Sequence, residues 1–237
     1  MKIMSFNTQH CLNFLEQKID YECMANAILK CEADIVGLNE MYDIMPEPTK
    51  ENSELGSQTG KLAKLTGLNN YYFARAITDM PWGYYGNGFI SKYAIASSET
   101  IMIPDPIEKI PGAFYETRCI LKAVLENGLT VLVTHFGLNP DEHANAVKAV
   151  LEQIKDERCI LMGDFNVAPD NELLKPIKEK MKDTSVLFSE PKLSWPSDKP
   201  QIKIDYIFVS PDIEIVSADI PELVASDHRP HLAEIKY

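Results

Sequence analysis

Short apolar runs alternate with polar positions along most of the chain, and longer stretches carry apolar residues at helical spacing. Lys2–Phe6, Asp34–Leu38, Tyr71–Ala76, Gly88–Ser91, Ala94–Ile103, Cys119–Leu125 and Leu129–Thr134 read as strands, as do Cys159–Met162, Ile204–Val209, Ile213–Ala218 and His231–Ile235. Glu126-Asn127-Gly128 predicts a hairpin between two of them, because Asn-Gly suits a tight turn with positive φ. Tyr21–Cys31 places Ala25, Ile28 and Leu29 on one helical face, with Asp20 positioned as N-cap. Thr59–Leu65 reads as a short helix ended near Gly67, and Asp141–Lys155 as a longer one with Ala144, Val147, Val150, Leu151 and Ile154 on one stripe. Loops are expected at Met45–Ser57, Pro104–Tyr115 and Ser189–Pro200, where Pro and polar residues gather. So many strands with so few helices argue against a doubly wound parallel sheet. They predict two mixed, mainly antiparallel sheets with helices packed outside. One internal echo suggests two similar halves: Ile3-Met4-Ser5-Phe6-Asn7 resembles Leu161-Met162-Gly163-Asp164-Phe165-Asn166.

Composition narrows the function more than the fold. The chain has 237 residues, 45% of them hydrophobic and 24% charged, which suits a globular domain with a real core. Its net charge of −12 disfavours a partner held by bulk positive charge, such as nucleic acid, while leaving room for a local basic rim. Five cysteines without a CxxC pair read as reduced thiols in a reducing compartment. Ser5 and Asn7 interrupt the first apolar run too early for a signal peptide, and no stretch approaches the ~20 apolar residues of a membrane span. A cytoplasmic, monomeric protein is expected.

The polar residues at strand ends carry the candidate chemistry. Asn7, Glu40, His135, Asp164, Asn166, Asp205, Asp227 and His228 all fall at or just beyond the end of an apolar run, where a rigid scaffold presents reactive groups. In Gly163-Asp164-Phe165-Asn166 the acid and the amide, two residues apart, share a face in extended backbone. An acceptor beside a donor suits a water held next to an anionic oxygen, although a polar strand end would read the same way. Asp227-His228, with Asp205 as a distant carboxylate, has the makings of an oriented acid or base. Glu40 follows a buried strand and is costly there unless paired or bound to a cation; with Asn7 it suits a hard ion such as Mg²⁺. His135 ends an apolar strand and is either a satisfied core residue or a donor to a phosphoryl oxygen. Trp82, Tyr84, Tyr85 and Trp195-Pro196 are candidates for a pocket wall.

Taken in order, these motifs resemble the endonuclease/exonuclease/phosphatase superfamily of divalent-metal phosphohydrolases. The match runs through Asn7, Glu40, Gly83–Ser91, Arg118, Thr134-His135, Gly163–Asn166, Ile204–Ile207 and Ser226–His228, so residues 1–237 are expected to form one domain. The resemblance implies a four-layer α/β sandwich of the deoxyribonuclease I type, with the site at one edge of its two sheets. It implies Mg²⁺ or Mn²⁺ held by Glu40, Asn7 and Asp227, and Asp164 orienting the attacking water. His228 paired with Asp205 would serve as acid, base or stabiliser of the transition state. Asn166, His135, Tyr84, Asn87 and Arg118 would touch phosphate, although Arg118 reads equally as a salt-bridge partner of Glu116. The expected activity is hydrolysis of a phosphodiester or phosphomonoester, with a small or headgroup-like substrate. The alternatives are a nuclease working through a local basic rim and a binding module that has lost catalysis.

Overall fold

A computed structural model describes residues 1–43, 56–80 and 83–237. In chain order the elements are β1 (Lys2–Asn7), β2 (Leu12–Asn13), β3 (Lys18–Ile19), α1 (Tyr21–Cys31), β4 (Ile35–Asp43), α2 (Gln58–Thr66), β5 (Asn70–Met80), β6 (Gly83–Ser91), β7 (Ile95–Met102) and β8 (Cys119–Leu125). There follow β9 (Thr130–His135), α3 (Pro140–Gln153), β10 (Cys159–Asp164), α4 (Lys175–Lys180), β11 (Lys182–Asp183), β12 (Asp205–Val209), β13 (Glu214–Asp219) and β14 (His231–Lys236). The strands build two six-stranded sheets, in the orders β13-β14-β1-β4-β6-β5 and β11-β12-β10-β9-β8-β7, with β2 and β3 pairing separately.

Alternation along the strands sorts side chains into layers. Ile3, Ile35, Phe89, Val131, Val133, Ile160, Met162, Ile207 and Val209 meet between the two sheets. On the outer face of the first sheet, Met4, Phe6, Val36 and Leu38 pack against Met24 and Ile28 of α1 and Leu62 of α2. On the outer face of the second, Leu132, Leu161 and Phe208 pack against Val147 and Val150 of α3 and Ile177 of α4. The result is the expected four-layer α/β sandwich. The sheets approach closely at Gly37, where a Cβ would lie 2.6 Å from Met162 Sδ. The hairpin turn forms as predicted, with Gly128 at φ 84° between antiparallel β8 and β9. Asp20 caps α1 by accepting from Cys23 N, and Gly67 ends α2 in the left-handed conformation.

The two sheets share one topology. Read from β7, the second runs strand, strand, strand–helix–strand, strand, strand, and the first repeats this order if the count starts at β13 and passes from the C-terminus to β1. In each, the strand–helix–strand pair (β1 and β4; β9 and β10) is parallel and its neighbours are antiparallel. The halves foreseen from the sequence echo therefore exist, but the echo matched the wrong strands. It aligned β1 with β10, whereas chain order makes β9 the counterpart of β1 and β10 that of β4.

Some boundaries differ from expectation. Strand β4 runs on to Asp43, past a bulge between Leu38 and Met41, and β6 begins at Gly83 rather than Gly88. Its Gly- and Tyr-rich start hides the strand period, and only pairing with β5 and β4 makes it a strand. Helix α3 stops at Gln153 because Ile154 is extended, and the one-and-a-half-turn α4 was not foreseen. Met45–Ser57, except for its last two residues, and Trp82 lie outside the described residues. Among the described residues no helix is long and apolar enough to cross a membrane, and all five cysteines are free thiols.

Candidate active site

Parallel pairing puts the C-terminal ends of β1, β4, β9 and β10 at one edge of the sandwich, and antiparallel β12 begins at that same edge. The ladders set Asn7 beside Asn39, His135 beside Asp164, and Asp164 beside Asp205. All five strand positions have the parity of the inter-sheet layer, so their side chains enter the gap between the sheets where its apolar filling stops. Gly163, at φ 148°, lets β10 run against β9: a Cβ there would lie 1.8 Å from the Thr134 carbonyl oxygen.

Asp164 is fully enclosed and forms the hub. Its Oδ1 accepts from the backbone N–H of Asn166 at 2.9 Å, and its Oδ2 accepts from Asn7 Nδ2 at 3.0 Å. The same oxygen lies 3.5 Å from His135 Nε2 and 3.7 Å from His228 Nε2. Burial raises the Asp164 pKa, the His228 charge holds it down, and the neighbouring Asp205 adds to the rise. His228 Nδ1 pairs with Asp205 Oδ2 at 2.9 Å. Burial alone would discharge this ring, but Asp205, Asp164 and Asp227 outweigh burial and hold its pKa at about 10. At neutral pH His228 is therefore an imidazolium, with Nδ1–H directed at Asp205 and Nε2–H facing the cavity.

His135 is the opposite case. Burial, the Arg118 charge and the His228 charge drive its pKa well below the usual range, so the ring is neutral. Arg118 Nη1 lies 3.1 Å from His135 Nδ1. A guanidinium only donates, so Nδ1 accepts and the ring proton sits on Nε2. That N–H faces the cavity beside Asn166 Nδ2, which is 3.2 Å away and donates to Phe136 O at 3.0 Å. Asn166 takes positive φ (51°), as does Glu40 (58°). Glu40 sits in the β4 bulge, which turns its carboxylate towards the cavity instead of along the sheet.

Among the described residues two groupings offer ligands to a metal ion. Ligand atoms of Asp164, Asp205 and His228 lie within 4.8 Å of one another, but the His228 imidazolium already supplies the positive charge among these carboxylates. Glu40 is the better fit: it lines the cavity, accepts from Asn7 Nδ2 at 3.0 Å through Oε1, and has only a distant neutral ring at Oε2, His10 Nδ1 at 3.7 Å. Asp227 also lines the cavity, where Ser226 Oγ donates to its Oδ1 at 3.0 Å. The open carboxylates of Glu40 and Asp227 suit a hard divalent cation, whereas Asn7, expected as a ligand, turns its Nδ2 to Glu40 and Asp164 while its Oδ1 accepts from Gln9 N at 3.1 Å.

The remaining expected residues divide. Arg118 lines the cavity, yet its two Nη atoms are taken by His135 and by Glu116 Oε2 at 2.8 Å. Asn87 is buried and spent on structure, accepting from Asn39 Nδ2 at 2.8 Å and donating to Cys119 O at 2.9 Å. Tyr84 is not at the site. The pleat turns it to the outer, helical face of the first sheet, where Arg75 lies over its ring at 4.3 Å. Its neighbour Tyr85 points inward and hydrogen-bonds Arg118. Sequence reasoning missed Asn39, which donates to Thr134 O at 2.9 Å and accepts from Asp164 N at 3.0 Å. A polar residue at inward parity on an apolar strand was the available signal. Tyr85, expected as an exposed pocket wall, is instead buried against Arg118.

The cavity at this edge encloses about 410 Å³. A family model described as the endonuclease/exonuclease/phosphatase family matches residues 4–228. No curated protein matches the sequence. Among solved structures, an endonuclease/exonuclease/phosphatase from Beutenbergia cavernae is similar at 19% identity and a TM-score of 0.77, covering 100% of this chain and 71% of that one. The mannosyl-6-phosphatase of Bacteroides thetaiotaomicron is similar at 16% identity and 0.76, covering 100% of both chains. A humanized D. rerio TDP2 is similar at 15% identity and 0.65, covering 100% and 99%. At these identities the structures speak for the fold; the match of the family model over nearly the whole chain speaks for descent. The chain belongs to the endonuclease/exonuclease/phosphatase family of hydrolases.

Proposed function

We propose that the protein is a Mg²⁺- or Mn²⁺-dependent hydrolase of a small phosphate ester, a phosphodiester or a phosphomonoester. The observation that carries this reading is the convergence of His228 Nε2, His135 Nε2 and Asn7 Nδ2 on Asp164 Oδ2, within 3.7 Å, at the floor of an open cavity. In the proposed mechanism Asp164 orients the attacking water by accepting one of its protons in a hydrogen bond. The Nε2–H of His135 and the amide of Asn166 donate to the phosphoryl oxygens. The imidazolium of His228, oriented by Asp205, offsets the charge that grows as the new P–O bond forms and the ester P–O bond breaks. Arg118 acts behind His135 by fixing its tautomer. Glu40, oriented by Asn7 Nδ2, and Asp227 would hold a divalent cation, which would supply Lewis-acid stabilisation of phosphoryl charge.

A small substrate is favoured over a polynucleotide. Among the described residues lining the cavity there is no lysine, and the one arginine is engaged by Glu116 and His135. We read the chain as one domain over residues 1–237, working as a cytoplasmic monomer. The test is release of p-nitrophenol from p-nitrophenyl phosphate and from bis-p-nitrophenyl phosphate, with Mg²⁺, Mn²⁺ or EDTA, alongside plasmid and single-stranded DNA on a gel. Metal-dependent release that His228→Ala abolishes, with DNA intact, is expected. DNA cleavage lost in the same variant would turn the reading to a nuclease. Activity unchanged in His228→Ala would sink the catalytic assignment.

A further inference from the structure

Part of the cavity wall is apolar: Leu138, 55% exposed, and Trp195, 40% exposed, line it together with Ile202 and Ile204. This wall is built, not loose. Trp195 and Ile202 face each other across an antiparallel bridge, with Trp195 N donating to Ile202 O at 3.0 Å. The indole Nε1–H approaches Asp227 Oδ2 at 3.4 Å, which ties the ring to the catalytic loop. Leu138 is held by its own N–H, which donates to Glu142 Oε2 at 3.1 Å just ahead of α3.

The charged groups around the cavity are committed. Glu116 pairs with Arg118 at 2.8 Å, Asp164 lies 3.7 Å from His228 Nε2, and Glu40 and Asp227 are the carboxylates assigned to the cation. One phosphate is provided for by His135, Asn166 and His228. The hydroxyls of a sugar would lie on Leu138 and Ile202, which offer no hydrogen bond in exchange for lost water.

Resting on the hydrolase reading above, we propose that the wall of Leu138, Trp195 and Ile202 is a specificity site for the hydrocarbon part of the substrate. The substrate is then a phosphate ester of an apolar alcohol, and the wall binds its chain or ring while the phosphate sits at His135, Asn166 and His228. Burial of each added methylene raises kcat/KM by about twofold to fourfold until the wall is covered.

The experiment compares ethyl, butyl, hexyl and octyl phosphate with mannose 6-phosphate, all esters of primary alcohols, and runs the methyl diesters of the same alcohols in parallel. Hydrolysis is followed with Mg²⁺ on the full chain. In parallel, binding of the non-hydrolysable ethyl- and octylphosphonate is measured by calorimetry. The expected result is a rise in kcat/KM of at least tenfold from the ethyl to the octyl ester, tighter binding of octylphosphonate, and mannose 6-phosphate no better than the ethyl ester. Leu138→Asp, at an exposed position, should cut the octyl-to-ethyl ratio at least fivefold. Turnover that is flat along the series, or a preference for mannose 6-phosphate, overturns this proposal and leaves the hydrolase reading standing. Failure to hydrolyse any ester removes the hydrolase reading; octylphosphonate binding no tighter than ethylphosphonate then removes the apolar site as well.

Discussion

Three neighbouring strands of the first sheet carry Asn7, Asn39 and Asn87 at the functional edge, and the three strands in the equivalent places of the second carry His135, Asp164 and Asp205. The scaffold is the same and the chemistry is not. The amide row bonds across the gap: Asn7 to Asp164 Oδ2, Asn39 to Thr134 O and from Asp164 N, and Asn87 to Cys119 O. An amide offers both donor and acceptor without adding charge, so it ties two sheets together in a buried place at little cost. The second row is ionisable and would be costly alone; His228, from the loop ahead of β14, supplies the compensating charge. One half of the edge is a clamp and the other is the reactive face. The difference shows how a duplicated scaffold carries a charged centre: one copy of the row stays neutral and holds the other in place.

Exchanging the two kinds of residue breaks this comparison most directly. Asp164→Asn turns the reactive row towards the amide kind. It should lower kcat by about a thousandfold, within the usual range for loss of a positioned acid or base. Because the variant removes a carboxylate that burial disfavours, its Tm should stay level or rise. A large fall in Tm would mean that Asp164 is structural. The reverse exchange, Asn39→Asp, sets a second buried carboxylate beside Asp164 and removes the donor to Thr134 O. It should destabilise the fold by about 3 kcal/mol in urea unfolding at pH 7, and an undisturbed midpoint would refute the clamp. A smaller effect tests the support of the reactive row. Arg118→Met frees His135 to change tautomer and should reduce kcat by roughly a hundredfold, as for loss of one aimed donor. Nitrogen-15 imidazole shifts would report the proton on Nδ1.

How much of this edge was legible depends on the kind of signal each residue left. His135, Asp164 and Asp205 end or open runs such as Leu129–Thr134 and Ile204–Val209, where charge against an apolar background is conspicuous. Of the amide row only Asn39 hid, because it lies inside Leu38-Asn39-Glu40, next to a louder carboxylate; Asn7 ends a visible strand, and Asn87 is named through the resemblance although its Gly- and Tyr-rich segment lacks a clear strand period. The resemblance points to Tyr84, and the parity that turns it away from the site is not visible in the sequence because the start of β6 is not. Parity is a property of the paired strand, fixed by the register of β6 against β4 and β5. Arg118 shows a second limit. Its sequence neighbour Glu116 was evident as a partner, while His135, 17 residues away, becomes one only when β8 and β9 pair. The four layers followed from strand count and hairpin signals, but which strands were equivalent required the sheet order.

The smallest effect concerns a further tie between the sheets. His231, in β14, is fully buried: its Nδ1 lies 3.2 Å from the carbonyl oxygen of Asp205 and its Nε2 3.0 Å from Thr184 Oγ1. Nδ1–H thus donates to the backbone of the reactive row, while Thr184 Oγ1 lies between Nε2 and Ile207 O, 3.0 Å from each, and gives its one proton to that carbonyl. Burial first, and then the charge of Lys203, lower its pKa to about 4, with Asp183 and Asp205 opposing them. The folded ring binds its proton less readily than the unfolded one, whose pKa is about 6.5. The unfolded chain therefore takes up more protons between those values, and stability contributed by the neutral ring is present above pH 6.5 and is lost as pH falls towards 4. The loss over that window is on the order of 3 kcal/mol. His231→Val removes the titrating group and its hydrogen bond to the Asp205 carbonyl. At pH 7 it should cost about 1 kcal/mol, while near pH 4.5 the variant should be the more stable of the two. Other acid-titrating groups are common to both chains and cancel in the difference. Urea midpoints at the two pH values check this, and stability curves that stay parallel would mean that the ring accepts its proton inside the fold.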